Sequence, residues 1–351
     1  MTQQDSFALS CPLPLSKGAV IRLGHGSGGR MSHELLESIF LPAFNNEILS
    51  QCQDAAIINL DTQNIAVTTD SYVVNPIFFP GGNIGSLAVH GTVNDLCMRG
   101  AKPLYMTASF IIEEGFAIAQ LQEIVTSMSQ AAQQAKIQII AGDTKVVNRG
   151  ACDKLFINTT GIGKAPSTNA AGATRAALQD SIIVSGDLGR HGMAIMCARN
   201  NFELESKLES DSASLSEVVF ELLDAGIEVH CMRDITRGGL ATCLKEIATA
   251  SQVELEIDHS SIPLIAPVQS ACEILGLDPL FVACEGRFIA IVPQASTKSV
   301  LDIMRRHEIC KYSCKIGEVI VGKPGRVTLK TSIGSRRNLD MLSGEQLPRI
   351  C

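Results

Sequence analysis

The sequence predicts a two-domain α+β protein in which mixed sheets pack against helices and a flexible C-terminal tail follows. Three observations predict it. At 351 residues the chain is too long for one ordinary core and comfortable as two. Residues 163–177, rich in Gly, Pro, Ala, Ser and Thr, read as a linker between two stretches that each mix helical and strand signals. Residues 332–351 lack apolar periodicity and carry Gly334, Gly344 and Pro348, the composition of a mobile tail. The expected division is a loose leader at 1–17, a first domain at 18–170, a second at 171–331 and the tail at 332–351.

In chain order, residues 20–23 read as a short strand. The glycine-rich run from Gly24 to Arg30 follows, then a helix through Phe40. Residues 56–60 and 65–69 read as strands joined by the tight turn 61–64, a hairpin, so the first sheet is at least partly antiparallel. Residues 83–99 carry helical spacing in Ile84, Leu87, Ala88, Val93 and Leu96, with Gly85 and Gly91 allowing close backbone approach. Ile118, Leu121, Ile124, Val125, Met128 and Ala132 form the apolar stripe of a second helix. A strand at 137–141 is expected to deliver Gly142, Asp143, Thr144 and Lys145 at its C-terminal end, with another strand at 155–160. In the second domain, strands near 182–185, 253–257, 287–292, 315–320 and 326–331 intersperse with helices near 193–200, 214–225, 239–250, 266–275 and 296–306.

Composition narrows the function. Apolar residues make up 46% and charged residues 19%, a globular balance. The formal charge of −7 argues against nucleic acid or an anionic membrane as the main partner. No apolar run approaches a membrane span. The 12 cysteines are scattered singly without a Cys-x-x-Cys or a secretory signal, which fits buried thiols in a reducing cytoplasm.

Several residues are candidates for chemistry. Asp54, Asp70, Asp95 and Asp234 are read at junctions of regular elements with loops, among small or apolar neighbours. Carboxylates buried there need a cation or a donor, and Mg²⁺ bound to ATP phosphates is one such partner. Helix capping and turn formation are the commoner roles of aspartate, and from position alone they outweigh it. The run Gly24–Gly29 matches G-x-G-x-x-G, but the acidic residue expected about 20 residues further on is absent, so a loop folding over a nucleotide is preferred to a dinucleotide turn. No Walker-type P-loop sequence exists. Lys145 and Glu285 stand near expected strand ends, where α/β architectures place reactive groups, although from spacing alone a solvated lysine and a turn glutamate are the better readings. The chain ends in Cys351, three residues too late for a prenylation signal. A terminal thiol on a mobile tail could swing between a pocket and a partner as a substrate arm, although by composition alone a terminal cysteine is usually an accident.

Taken together, His25-Gly26-Ser27-Gly28-Gly29, the block from Thr69 to Gly82, the segment from Gly142 to Val147, the turn from Thr236 to Gly239 and the terminal Pro348-Arg349-Ile350-Cys351 resemble the HypE family of hydrogenase maturation proteins. That family sits within the aminoimidazole ribonucleotide synthetase-like ATP-binding superfamily. The resemblance runs from about Leu23 to Cys351, and the terminal Pro-Arg-Ile-Cys is its most specific element. It implies the two-domain fold of that superfamily and a homodimer joined through the first domains. It implies ATP in a groove bordered by His25, Gly26, Ser27, Gly28, Gly29, Asp143, Thr144 and Arg237, with Asp54, Asp70, Asp95 and Asp234 holding Mg²⁺ and phosphates. Lys145 and Glu285 match the pair assigned to dehydration. Cys351 matches the thiol that receives carbamoyl from the carbamoyltransferase HypF and passes cyanide to the HypC–HypD complex. Two positions depart from the family pattern: Cys284 where asparagine is usual, and Arg190 where aspartate is frequent. An ATP-dependent phosphotransferase of the selenophosphate or aminoimidazole type, and a non-catalytic scaffold presenting a thiol, are the alternatives.

Overall fold

The computed structural model describes residues 19–26, 30–51, 58, 64–166, 171–200, 202, 207–331, 333–341, 347, 350 and 351. The leader through Lys17, Ser27, Gly28, Gly29, Asp54 and nearly all of the expected strand 56–60 lie outside these residues.

Asn83 fixes the start of α1 (Ile84–Met98). Its side chain accepts from the N–H groups of Gly85 and Ser86, and the Ser86 hydroxyl accepts in return from the Asn83 N–H. This capping box pairs donors that a helix start otherwise leaves open. The helix is buried on nearly every side because it lies between the first sheet, α2 (Ile118–Gln134) and the second domain. A Cβ at Gly85 would collide with the Ile124 carbonyl and one at Gly91 with the Tyr72 hydroxyl, so both glycines are needed for the close approach.

The first sheet contains β1 (Ile65–Tyr72), β2 (Lys102–Glu113), β3 (Gln138–Val147) and β4 (Leu155–Lys164), in the order β1-β4-β2-β3. β4 runs antiparallel to both neighbours, whereas β2 and β3 are parallel. Helices pack on one face. On the other, Ile65, Val67 and Ile111 stay exposed.

Three expectations change here. The strand expected at 137–141 continues to Val147, so Gly142 to Lys145 lie within a strand and not at its end. The strand at 155–160 runs on to Lys164, and the linker follows it. The short strand at 20–23 is reduced to one bridge between Val20 and Ala117, followed by a 3-10 turn at Leu23–Gly26.

The second domain is built from β5 (Ser181–Val184), α3 (Arg190–Asn200), α4 (Ser216–Asp224), β6 (Cys231–Asp234), α5 (Gly239–Ser251), β7 (Glu254–Asp258), α6 (Ala266–Leu275), β8 (Phe288–Val292), α7 (Thr297–Met304), β9 (Cys314–Ile320), β10 (Val327–Lys330) and β11 (Arg336–Asn338). Its strands form a seven-stranded sheet ordered β11-β10-β7-β9-β5-β8-β6. Only the pair β10 and β7 is parallel. β8 is buried at every position, as a central strand covered on both faces should be.

The tail also differs from expectation. β11 lies inside it and pairs with β10, Leu339 is buried, and at the chain end Ile350 is only 4% exposed. Leu339, Leu347, Ile350 and Cys351 are docked against the body, while Ile333 and Met341 stay exposed. Among the described residues no helix is long and apolar enough to cross a membrane.

Candidate active site

Four elements and the chain end meet between the domains. β1 brings Asp70, the last turn of α1 brings Asp95, the end of β6 brings Asp234, and the loop before β8 brings Glu285. None of the three aspartates caps a helix: α1 is capped by Asn83, and α5 starts behind Gly238 with no side-chain cap. Asp95 in particular sits near a helix C-terminus, where the macrodipole opposes negative charge.

Their mutual repulsion is visible in their acidities. Burial, then the negative charges of Asp234 and Asp70, pushes Asp95 up to about 7, against a hydrogen bond from the Thr68 hydroxyl at 2.8 Å. Burial pushes Asp234 up to about 6, with Arg233 opposing and Asp70 adding to the rise. The Tyr72 hydroxyl lies 3.5 Å from Asp70 Oδ2 and 3.2 Å from the Thr92 hydroxyl.

Glu285 is 4% exposed, and its Oε1 has no hydrogen-bond partner among the described residues. Burial first, then Asp234, Asp211, Asp70 and Asp95, holds its carboxyl well above the usual carboxylate range. Its main chain is held tightly. The Glu285 N–H donates to Asp211 Oδ1 at 3.0 Å, and its carbonyl accepts from Asn94 Nδ2 at 3.3 Å. Buried Arg287 donates to the Gly286 carbonyl at 2.8 Å and pairs with Asp187 at 2.9 Å.

Cys351 closes the cluster. Burial and the charge of Glu285 push its thiol up to about 12, with Arg237 opposing and Asp70 and Asp234 adding to the rise. The Val73 N–H donates to the terminal Cys351 oxygen at 3.2 Å. Arg237 lies exposed on the turn before α5, which Gly238 closes with φ 76. A protonated thiol therefore rests within electrostatic reach of Glu285, Asp70 and Asp234. That is a site for reacting a group on sulfur with an anion brought in on a cation.

Other expected site residues stand elsewhere. Lys145 Nζ pairs with Asp143 at 3.3 Å, and the Thr144 N–H donates to Asp143 Oδ1 at 2.9 Å, all on β3. The register sets Asp70 opposite Thr159, Thr159 opposite Ala108, and Ala108 opposite Gly142. Three strand spacings, about 14 Å along the sheet, thus separate the Lys145 strand from the Asp70 strand. His25 is buried, its Nδ1 accepting from the Arg22 N–H at 2.9 Å, and Gly26 ends the turn that packs on β3.

Residues 52–165 match the family described as AIR synthase related protein, N-terminal domain, and residues 179–330 match its C-terminal domain. The carbamoyl dehydratase HypE of Bradyrhizobium diazoefficiens is 48% identical over 336 residues, covering 95% of this chain and 97% of that one. This chain belongs to the HypE family. A crystal structure of the hydrogenase maturation protein HypE in complex with ATP matches at 46% identity with a TM-score of 0.91, covering 94% of this chain and 99% of that one. A HypE–HypF complex matches at 44% identity with a TM-score of 0.77, covering 88% and 99%.

Within this HypE fold the two departures have structural roles. The Cys284 sulfur accepts from the Gly189 N–H at 3.1 Å, and Arg190 forks onto Asp187 at 2.8 and 2.9 Å. Both brace the loop that carries Glu285. Sequence reasoning missed Asn94, His191, Asp211 and Arg287. The signal for two of them was proximity, since Asn94 adjoins Asp95 and Arg287 follows Glu285 by two.

Proposed function

We propose that this chain uses ATP to dehydrate a carbamoyl group on Cys351 to a thiocyanate, supplying cyanide for the iron of a nickel–iron hydrogenase during its maturation. The observation that carries this reading is the chain end docked between the domains, where the Val73 N–H holds the terminal Cys351 oxygen and the thiol feels the charges of Glu285, Asp70 and Asp234. A phosphotransferase acting on a free substrate has no use for that thiol.

The carbamoyl oxygen is a poor leaving group, so direct loss of water from the S-carbamoyl group is slow. Attack of that oxygen on the γ-phosphorus of ATP releases ADP and makes the oxygen a phosphate ester. Removal of the nitrogen protons and departure of inorganic phosphate leave S–C≡N. Such transfer needs positioning and charge neutralisation more than covalent help.

Among the described residues no three metal-ligating side chains converge into a cage. That suits Mg²⁺, which takes one or two carboxylates and leaves the remaining positions to phosphate and water. The donor set fits as well, because Asp95 and Asp234 both carry acidities raised by burial and neighbouring carboxylates, an excess that a cation relieves. Asp70, Asp95 and Asp234, with Asp54, would share Mg²⁺ and the phosphates, one or two carboxylates to an ion, and the cation charge would neutralise the transferred phosphate. Arg237 is the proposed nucleotide contact beside the aspartates, and His25, Gly26, Ser27, Gly28, Gly29, Asp143 and Thr144, which belong to the β3 side, would reach the nucleotide from a second copy of the chain. Glu285 is the base for the carbamoyl nitrogen in its ionised form, which a neighbouring cation would favour, the proton passing to solvent.

Lys145 stabilises the transferred phosphate from a second copy of the chain, in a homodimer formed through the open face of the first sheet. HypF loads the carbamoyl group, the HypC–HypD complex takes the cyanide, and the cycle runs in the cytoplasm. Mass spectrometry of the C-terminal peptide after incubation with HypF, carbamoyl phosphate and MgATP tests the reaction. A carbamoyl adduct that loses water only with ATP is expected. An adduct that never loses water overturns the dehydratase reading.

A further inference from the structure

His191 is fully buried in the second domain, at the start of α3, and has no role in the chemistry above. Its Nε2 lies 2.6 Å from the carbonyl oxygen of Ile350. A carbonyl only accepts, so Nε2 carries the proton and Nδ1 accepts from the Ser210 hydroxyl at 2.8 Å. The ring also stands edge-on to Phe79, with centroids 5.5 Å apart. Nothing about this imidazole is free to turn.

From the other domain, the Val73 N–H holds the terminal Cys351 oxygen at 3.2 Å. The Ile350 side chain lies between these contacts, buried in the main apolar core, and Leu347 packs against the same core. We infer that His191 is a positioning residue which, together with the Val73 main-chain N–H, latches the chain's own terminal Ile350-Cys351 dipeptide between the domains. The latch deepens the dehydratase reading and rests on it for its purpose.

Both contacts take backbone oxygens and neither takes the sulfur. The latch therefore grips the free thiol, the carbamoylated tail and the thiocyanate in the same way. Backbone contacts made by both domains, and not the group on sulfur, set where the sulfur stands relative to Glu285. Delivery to a partner then requires these contacts to break together, because each holds an oxygen of one of two adjacent residues.

The test is competitive alkylation of the full chain with iodoacetamide, read by mass spectrometry of the Cys351 and Cys152 peptides. It needs neither ATP nor a carbamoyl donor. Losing the His191 hydrogen bond leaves the Ile350 carbonyl buried without a donor, so His191→Ala should raise Cys351 labelling about tenfold and leave Cys152 unchanged. His191→Gln, whose amide N–H reaches a similar point, should return labelling towards the original rate. Equal Cys351 labelling in wild type and a folded His191→Ala overturns the latch, as does a His191→Gln that labels like alanine.

Ile350→Ala alters only the tail and decides the matter if His191→Ala fails to fold. Faster Cys351 labelling supports the latch, and an unchanged rate overturns it. A wild-type chain that never loses water from its carbamoyl adduct would sink the dehydratase reading while leaving these labelling ratios to stand on their own.

Discussion

Asn94 Nδ2 donates to the Glu285 carbonyl at 3.3 Å, joining the helix that carries Asp95 to the loop that carries the proposed base. The same amide donates to the Ala213 carbonyl at 3.0 Å, and its oxygen accepts from the Leu215 N–H at 2.8 Å. One buried side chain thus ties the aspartates of the first domain to the glutamate of the second. Asn94→Ala leaves three backbone groups short of a partner and should cost about 3 kcal/mol in urea unfolding. Dehydration should slow in parallel, because the Asp95–Glu285 spacing is no longer fixed.

Glu285→Gln removes a proton acceptor while keeping shape and burial. ATP binding measured by calorimetry should be retained. Loss of water from the carbamoylated C-terminal peptide should stop. Full dehydration by this variant would take Glu285 out of the mechanism.

The raised acidities of Asp95 and Asp234, about 7 and about 6, set a pH dependence. A folded carboxyl with a raised pKa binds protons that the unfolded chain has already released. Its stabilising contribution is fully present below the unfolded value of 3.8 and is lost as pH rises through about 7. The nucleotide-free protein should therefore lose melting temperature between about pH 4 and pH 7 from these groups. Asp95→Asn removes the repulsion and should stabilise the free protein at pH 8 by about 2 kcal/mol, discounted for partial exposure. The same variant should bind MgATP more weakly. A destabilised Asp95→Asn at pH 8 would mean that Asp95 has a compensating partner in the free protein.

Arg190 and Arg287 share Asp187 but should differ in weight. Arg287 is 5% exposed, and its loss leaves Asp187 to Arg190 but takes away the cation 3.9 Å from fully buried Asp211, which holds the Glu285 N–H. Arg287→Ala should cost about 3–5 kcal/mol. Arg190, at 27% exposure, leaves Asp187 still paired when removed, so Arg190→Ala should cost below about 1 kcal/mol. Thermal melts of the two variants, compared directly, check the ranking.

The elements legible in the sequence were those whose side chains declare their burial. The apolar stripe of α2 predicted a helix that the structure starts at Ile118, and five strands of the second domain fall within a residue or two of their expected bounds, whereas the short β6 and β11 were not expected. β2 was not expected, and it holds Pro103, a residue type that strands rarely accept. The proline sits at a register shift against β4, where no ladder hydrogen bond is needed from it. Gly142 and Asp143 read as a strand end because both residue types are depleted in strands, yet β3 is an edge strand of the first sheet and tolerates them. The acidic residues were legible by type, and their convergence across two domains only through the family resemblance. The docked chain end was not legible at all, since its two anchoring contacts go to backbone oxygens and leave no mark on residue type.

Lys145 and Cys351 stand on opposite sides of the first sheet's strand order, which makes the homodimer testable through chemistry. Lys145 lies on β3 and the cluster around Cys351 gathers at β1, about 14 Å away along the sheet. The exposed Ile65, Val67 and Ile111 give a second copy an apolar face to cover. If Lys145 acts across that interface, Lys145→Ala and Cys351→Ala should each be inactive alone and recover activity when subunits are exchanged. In a mixed dimer, the intact Cys351 of one chain meets the intact Lys145 of the other. The second site of that dimer lacks both. Random exchange at equal amounts makes half the dimers mixed, with one working site in two, so about a quarter of wild-type dehydration should return. If Lys145 acts within its own chain, every intact Cys351 remains beside a missing lysine and nothing returns. Activity that stays absent after confirmed subunit exchange therefore rules out action across the interface, and a chain that sediments only as a monomer rules it out more directly.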